Sequence, residues 1–204
     1  MSLLDVQRSL VGFARGSTSA YQHCDNLTQA EREWLTQLLH SPGLLVTQQI
    51  QQWWRISRVC SAAPLTIELL KRDQLEDLII EYVTTEPVRT LFFAAELEQF
   101  KLFIQQHPRT TATIKTLVEF EYEIKNAYQT SVASARGKAH ITLAKILHFK
   151  HDPIRLLSAL LTGTTLPIET QDYYILVSPA LPEHWRMLTD AECAQYPELA
   201  EIYI

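Results

Sequence analysis

One stretch, His140 to Leu188, constrains the fold more than any other, because it commits the chain to a sheet. Ile141, Leu143, Leu147 and Phe149 alternate with His140, Thr142, Ala144 and His148, the period-two pattern of a strand with one buried face. Asp152 is placed to cap a following helix and Pro153 to take its first position. Ile154, Leu156, Leu157, Leu160 and Leu161 give that helix an apolar side, and Gly163 is a natural stop. Tyr173-Tyr174-Ile175-Leu176-Val177 is the strongest β-forming run in the chain. After Pro179-Ala180-Leu181-Pro182 the segment His184 to Leu188 reads as a return strand. Three strands are therefore expected near 139–149, 172–178 and 184–188.

Everything before this stretch reads as helix. Residues 2–13 carry Leu3, Leu4, Val6, Leu10 and Val11 on a short amphipathic helix, and 14–27 are small and polar. Thr28-Gln29-Ala30-Glu31 is a capping box opening a helix to about Leu39, and Ser41-Pro42-Gly43 breaks it. A longer helix runs Leu44 to Cys60, glutamine-rich on one side. Pro64 restarts the chain through Leu65, Ile67, Leu69 and Leu70, and Asp73-Gln74-Leu75-Glu76 reads as a second capping box opening Leu75 to Val83. Pro87 begins the next helix, whose Phe93, Leu97, Phe100 and Ile104 share one face, and His107-Pro108 ends it. The last long helix spans 110–128 with the stripe Ile114, Leu117, Glu121, Ile124 and Tyr128, so Glu121 sits among apolar residues while Glu119 and Glu123 point elsewhere. The small polar run Ser131 to Lys138 reads as a boundary. The expected fold class is α+β: a helical domain over 1–130, then a small domain over 139–204 with a three-stranded antiparallel sheet and short helices.

Composition narrows the function classes. A net charge of −5 argues against a nucleic-acid binder that works through phosphate contacts. Five glycines leave no Gly-rich phosphate loop. Cys24, Cys60 and Cys193 are odd in number and far apart, which suits a reducing cytoplasm and gives neither a disulfide framework nor metal-ligand spacing. No run approaches the length of a membrane span, and Met1-Ser2-Leu3-Leu4-Asp5 lacks the basic start of a signal peptide. A cytoplasmic protein is expected.

Few residues offer chemistry. His148 and His151 are three apart but flank a strand end, with no third ligand placed by a regular element, so no metal site is expected. No Gly-x-Ser-x-Gly elbow accompanies the serines, and neither Cys60 nor Cys193 has a cationic or helix-start setting that would make a thiolate. No catalytic residue is assigned, and Glu121 is the one acid a free-standing enzyme could use. Trp53-Trp54-Arg55-Ile56-Ser57-Arg58 stands out: tryptophan and arginine dominate protein-interface hot spots, so Trp53, Trp54, Arg55 and Arg58 are candidates for a partner interface. Adjacent helical residues lie about 100° apart, so one tryptophan is expected against the core and the other at its margin. Tyr173 and Tyr174 must likewise point to opposite faces of the sheet.

These segments, in order, resemble a family. Trp54-Arg55, Pro64-Leu65 and Leu69-Leu70, Leu117-Val118-Glu119-Phe120-Glu121-Tyr122, Asp152-Pro153 and Tyr173 to Val177 are similar to the partner subunits of multinuclear non-haem iron enzymes that oxidise ribosomal peptides, the methanobactin biosynthesis partner proteins above all. The resemblance implies a chain with no iron or other cofactor of its own. It implies a heterodimer with a (β/α)8-barrel enzyme that holds the iron cluster. The complex would bind the leader of a cysteine-containing precursor peptide and convert cysteine to oxazolone and thioamide groups, giving a copper chelator. It also implies that Glu121 pairs with Arg55 or Arg58. The alternative class is a helical regulatory or signalling protein.

A three-stranded sheet has two edges, and an open edge can accept a peptide as a further strand. Tyr173, Tyr174, Leu176, Trp185 and Met187 are the expected peptide-binding residues.

Overall fold

Thr28 begins the first well-capped helix as its sequence requires: its hydroxyl accepts the Glu31 N–H, and Glu31 accepts the Thr28 N–H at 2.8 Å. The structure, a computed structural model, describes residues 3–14, 27–85, 93–135 and 144–193. Their order is α1 (Leu3–Ala14), α2 (Gln29–Leu39), α3 (Pro42–Ala62), α4 (Pro64–Arg72), α5 (Asp77–Thr85), α6 (Phe93–Gln106), α7 (Ala112–Ala135), β1 (Lys145–Phe149), α8 (Pro153–Thr162), β2 (Tyr173–Val177), β3 (Trp185–Met187) and α9 (Asp190–Cys193). The fold is α+β, mostly helical with one small antiparallel sheet near the C-terminus. The loop expected over 14–27, the start at Pro87, the first part of the 139–149 strand and Cys24 fall largely or wholly outside the described residues.

The compact units do not part at 131–138. One comprises Met1–Ser61 and Glu76–Glu96, the other Ala62–Leu75 and Leu97–Ile204. The reason is α7. It runs on to Ala135, through much of the stretch that reads as a linker, and it shares its core with the sheet.

In the first unit, Phe13, Leu27, Leu35 and Leu44 form a buried cluster, with Val6, Leu10, Ala14 and Leu39 packed on it. The Gln48 amide donates to the Phe13 carbonyl at 2.7 Å. α5 contributes buried Leu78, Ile79, Tyr82 and Val83.

In the second unit, α7 has two working faces. One carries Phe120, whose ring meets Phe149 of β1 and Trp185 of β3 edge-on at 5.9 and 5.7 Å. Beside it, the Glu119 carboxylate is buried and bonded to Lys145 of β1, with Lys101 of α6 at 3.4 Å. Burial alone would raise its pKa, but Lys145 and Lys101 outweigh burial and hold it below the ordinary carboxylate value. The other face carries Glu121, toward α4. The N-cap of α4 is Ala63, which has no side-chain acceptor. Glu121 supplies one from a different helix: it accepts the Leu65 N–H at 2.8 Å, the Thr66 N–H at 2.9 Å and the Thr66 hydroxyl at 2.6 Å. A carboxylate there answers both the orphan donors and the positive end of the helix dipole.

Two expectations need correction. Glu121 is buried as the stripe implies, but its oxygens are taken by α4 rather than by Arg55 or Arg58. Glu119 points elsewhere, as expected, and is buried where Lys145 and Lys101 meet it. Asp73 to Glu76 is no capping box: it is the end of α4, where the Leu75 N–H reaches the Leu70 carbonyl at 2.7 Å and the Gln74 N–H reaches Lys71 at 3.1 Å. This Schellman closure forces Gln74 to φ 57°, a left-handed conformation usually given to glycine. α8 is built as its sequence reads, with Asp152 capping Ile154 and Arg155 and Gly163 left-handed at φ 75°.

These helix ends lead to three stability predictions. Glu121→Ala strips two buried N–H groups of their acceptor and should cost about 1–3 kcal/mol in urea unfolding. Burial raises the Glu121 pKa above 4.5, against its hydrogen bonds to Thr66 and Leu65. A raised folded pKa favours the fold below the unfolded value, and that contribution is lost as pH rises through the folded value. Glu121→Gln cannot titrate, so wild-type stability should fall relative to that variant as pH rises from about 4; an unchanged difference would place the carboxyl in an ordinary setting. Gln74→Gly should raise stability by roughly 0.5–1 kcal/mol by relieving the left-handed strain, read as a higher urea midpoint.

Candidate functional site

The sheet order is β1-β2-β3, so β2 with its two tyrosines is central and the edges belong to β1 and β3. Pairing sets Lys145 beside Val177 and Val177 beside Trp185, Leu147 beside Ile175 and Ile175 beside Met187, and Phe149 beside Tyr173. Directly paired residues share a face, so these form the inner face, against which Phe120 of α7 packs. Ile146, His148, Tyr174, Leu176 and Arg186 form the outer face. The five residues expected to bind peptide are thus split. Tyr174 and Leu176 are half-buried on the outer face, whereas Tyr173, Trp185 and Met187 belong to the inner one. They do not make one surface, because the strand period of two separates them.

At β3 the ladder decides which backbone groups face β2 and which face the sheet edge. The Ser178 N–H donates to the His184 carbonyl and the Leu188 N–H to the Tyr174 carbonyl, both at 2.8 Å. His184, Arg186 and Leu188 therefore face β2, and the N–H and C=O groups of Trp185 and Met187 point away from it, along the sheet edge. The Met187 carbonyl accepts Arg186 Nη1 at 3.3 Å. Arg186 itself grips Glu192 with both nitrogens, at 2.6 and 3.0 Å, and holds that carboxyl down at a pKa of about 2, with help from Thr189. The turn into β3 is tight: His184 is left-handed at φ 62°, its ring edge-on to Tyr128 of α7 at 6.0 Å.

The outer face carries a small polar network at the β1 side. His148 stacks on Tyr174 at 5.0 Å, and its Nε2 lies 2.6 Å from Asp172. Lys150 reaches the same Asp172 oxygen at 2.7 Å, and the Lys150 and His148 hydrogen bonds lower the Asp172 pKa. His151 faces the Glu169 carbonyl instead. Among the described residues no group of three His, Cys, Asp or Glu side chains is placed to hold a metal, and no helix is long and apolar enough to cross a membrane.

The tryptophan–arginine segment of α3 departs from its sequence reading in which side chains it buries. Trp53 and Trp54 are both exposed, at 71 and 66%, and neither is core. Arg55 and Arg58 are buried at 2 and 4%, which takes them out of any surface interface in this state. They converge on Glu96: Arg55 Nε donates to Glu96 Oε1 at 2.9 Å and Arg58 Nη2 lies 3.7 Å from Oε2. Arg55 also donates to the Val83 carbonyl at 2.8 Å and lies over the Tyr82 ring, 4.8 Å from its centroid. The Tyr82 hydroxyl donates to Glu96 at 2.9 Å; burial first, then the Glu96 charge, pushes the phenol above its ordinary value. Helical geometry explains the departure. Residues 55, 58, 59 and 62 fall on one side, so once the arginines bind Glu96, positions 46, 50, 53, 54 and 57 must face outward.

Sequence reasoning missed Glu96, although a signal was there: it stands four residues before Phe100 on the same apolar stripe, as Glu121 does four after Leu117. Removing Glu96 leaves two buried guanidiniums without their carboxylate. Glu96→Ala should therefore cost roughly 3–5 kcal/mol by chemical denaturation, and a loss near zero would mean the cluster carries no structural weight.

No protein-family model, curated protein or solved structure matches this chain.

Proposed function

We propose that this chain is the non-catalytic recognition subunit of an iron-dependent peptide-modifying oxidase, of the kind that makes methanobactin-type copper chelators. In this reading the iron cluster belongs to a (β/α)8-barrel partner, and this chain holds the leader of a cysteine-containing precursor peptide. The observation that carries the reading is the β3 edge, where Trp185 and Met187 turn backbone N–H and C=O groups away from the ladder. The leader adds there as a fourth strand, its backbone bonds giving affinity. Its alternate side chains lie beside Trp185 and Met187 on one face and beside Arg186 on the other. Tyr174 and Leu176, one strand further in, back the outer face. Trp53 and Trp54 remain as the partner surface, without the arginines. A helical regulatory protein would use the same α3 face but leaves the sheet edge without a role.

The test uses an outward N–H on each edge. Proline at such a position removes a donor from the edge but none from the existing ladder, so the fold tolerates it. Met187→Pro should weaken binding of the precursor leader by about tenfold or more in fluorescence anisotropy, the scale of one or two lost backbone bonds plus a steric block. Ile146→Pro, on the β1 edge, should leave affinity unchanged. Equal affinities for both variants and the parent, on protein with unchanged circular dichroism, would remove the β3 edge from the function.

A further inference from the structure

The outward face of α3 is built for burial. Val46, Ile50, Trp53 and Trp54 are each at least half exposed, and the residues between them and at their margins include Thr47, Gln49, Gln51 and Gln52. From Pro42 to Trp54 the helix carries no formal charge, and its two charged residues, Arg55 and Arg58, are both buried. This helix therefore reverses the usual arrangement, with charge inside and apolar side chains in water. Contiguous exposed apolar surface of this kind marks an interaction site.

We propose that the face is closed by a second copy of this chain, α3 packing antiparallel on α3 about a two-fold axis near Ile50. Charge does not bar this occupant. The chain as a whole is acidic, at −5, so most of its surface repels a second copy, whereas this face brings no like charges together. A two-fold axis at Ile50 sets Val46 of one copy against Trp54 of the other, so large and small side chains alternate across the axis, as a self-complementary interface requires. Gln49 and Gln52 lie along its margin, each able to donate and accept to its counterpart. Size agrees as well. At these exposures the four side chains offer roughly 500 Å² per copy on the scale of 150–250 Å² for a buried aromatic, so pairing removes on the order of 1,000 Å², where specific interfaces begin. An interface of that size gives an exchanging dimer. Self-pairing and binding of a partner enzyme to Trp53 and Trp54 would then exclude each other, but the dimer itself stands independently of the function proposed above.

Sedimentation velocity on the isolated full chain, from about 1 to about 100 μM, covers the range where a small interface associates. The expected result is a mass that rises with concentration from 23.5 kDa toward twice that value and no further. Ile50→Glu sets two carboxylates face to face at the axis and should hold the protein monomeric. The double substitution Trp53→Gln and Trp54→Gln should do the same. All three side chains are solvent-exposed in the single chain, so circular dichroism should not change, nor should the urea midpoint at concentrations where the parent is monomeric. A mass fixed at 23.5 kDa throughout overturns the proposal, including the case where the same substitutions abolish binding to an iron barrel enzyme, which would give the face to that protein. A dimer indifferent to both variants overturns it too, and so does an open ladder of oligomers, since a two-fold contact closes at two.

Discussion

The ion cluster around Glu96 fixes how α3 is rotated, and α3 determines what this protein shows its surroundings. Two guanidiniums and a phenol converge on one carboxylate, all of them buried. A buried pair of this kind is weak evidence for net stability, since its desolvation offsets much of its attraction. Its stronger effect is orientation. Rotating α3 by one residue would withdraw Arg55 from Glu96, Val83 and the Tyr82 ring together, and burying a tryptophan in its place does not repair an unpaired buried charge. The tryptophans are outside because the arginines are held inside.

The second unit uses a comparable device for a different end. Glu121 gives α4 the cap that Ala63 cannot, and Glu119 takes Lys145 at the start of β1. Two acids on one helix, two residues apart, point to opposite sides and tie a helix and a strand to α7. The sheet is consequently held by its first strand through charge and by Phe120 through aromatic contact with β1 and β3.

Local signals in this sequence were reliable wherever the chain decides its own conformation. The Thr28 capping box, the Asp152-Pro153 start, the Gly163 stop, and the phase of Leu147 and Phe149 against Ile146 and His148 are all local chemistry, and each is present as read. The errors share one cause: a tertiary partner overrode the local pattern. Asp73 to Glu76 has the letters of a capping box, but the end of α4 claims those residues for its own closure. Trp53, Trp54, Arg55 and Arg58 were read together as an interface by residue type, with one tryptophan against the core; Glu96, some forty residues from Arg55, takes the arginines inside and leaves both tryptophans out. The sheet order was beyond sequence altogether, because three short strands with similar patterns do not say which lies in the middle.

The two-faced character of α7 bears on how the chain is made. Synthesis runs from the N-terminus, so α4 and α7 are complete while the ribosome has yet to add β2 and β3. Glu121 can dock on α4 at that stage, since both partners exist. Phe120 cannot be covered, because Phe149 comes later and Trp185 later still. For the time taken to add some sixty-five residues, several seconds at ribosomal speed, the nascent chain carries a half-finished core with an aromatic face open to water. That interval is when the aromatic face of α7 is most open to wrong contacts.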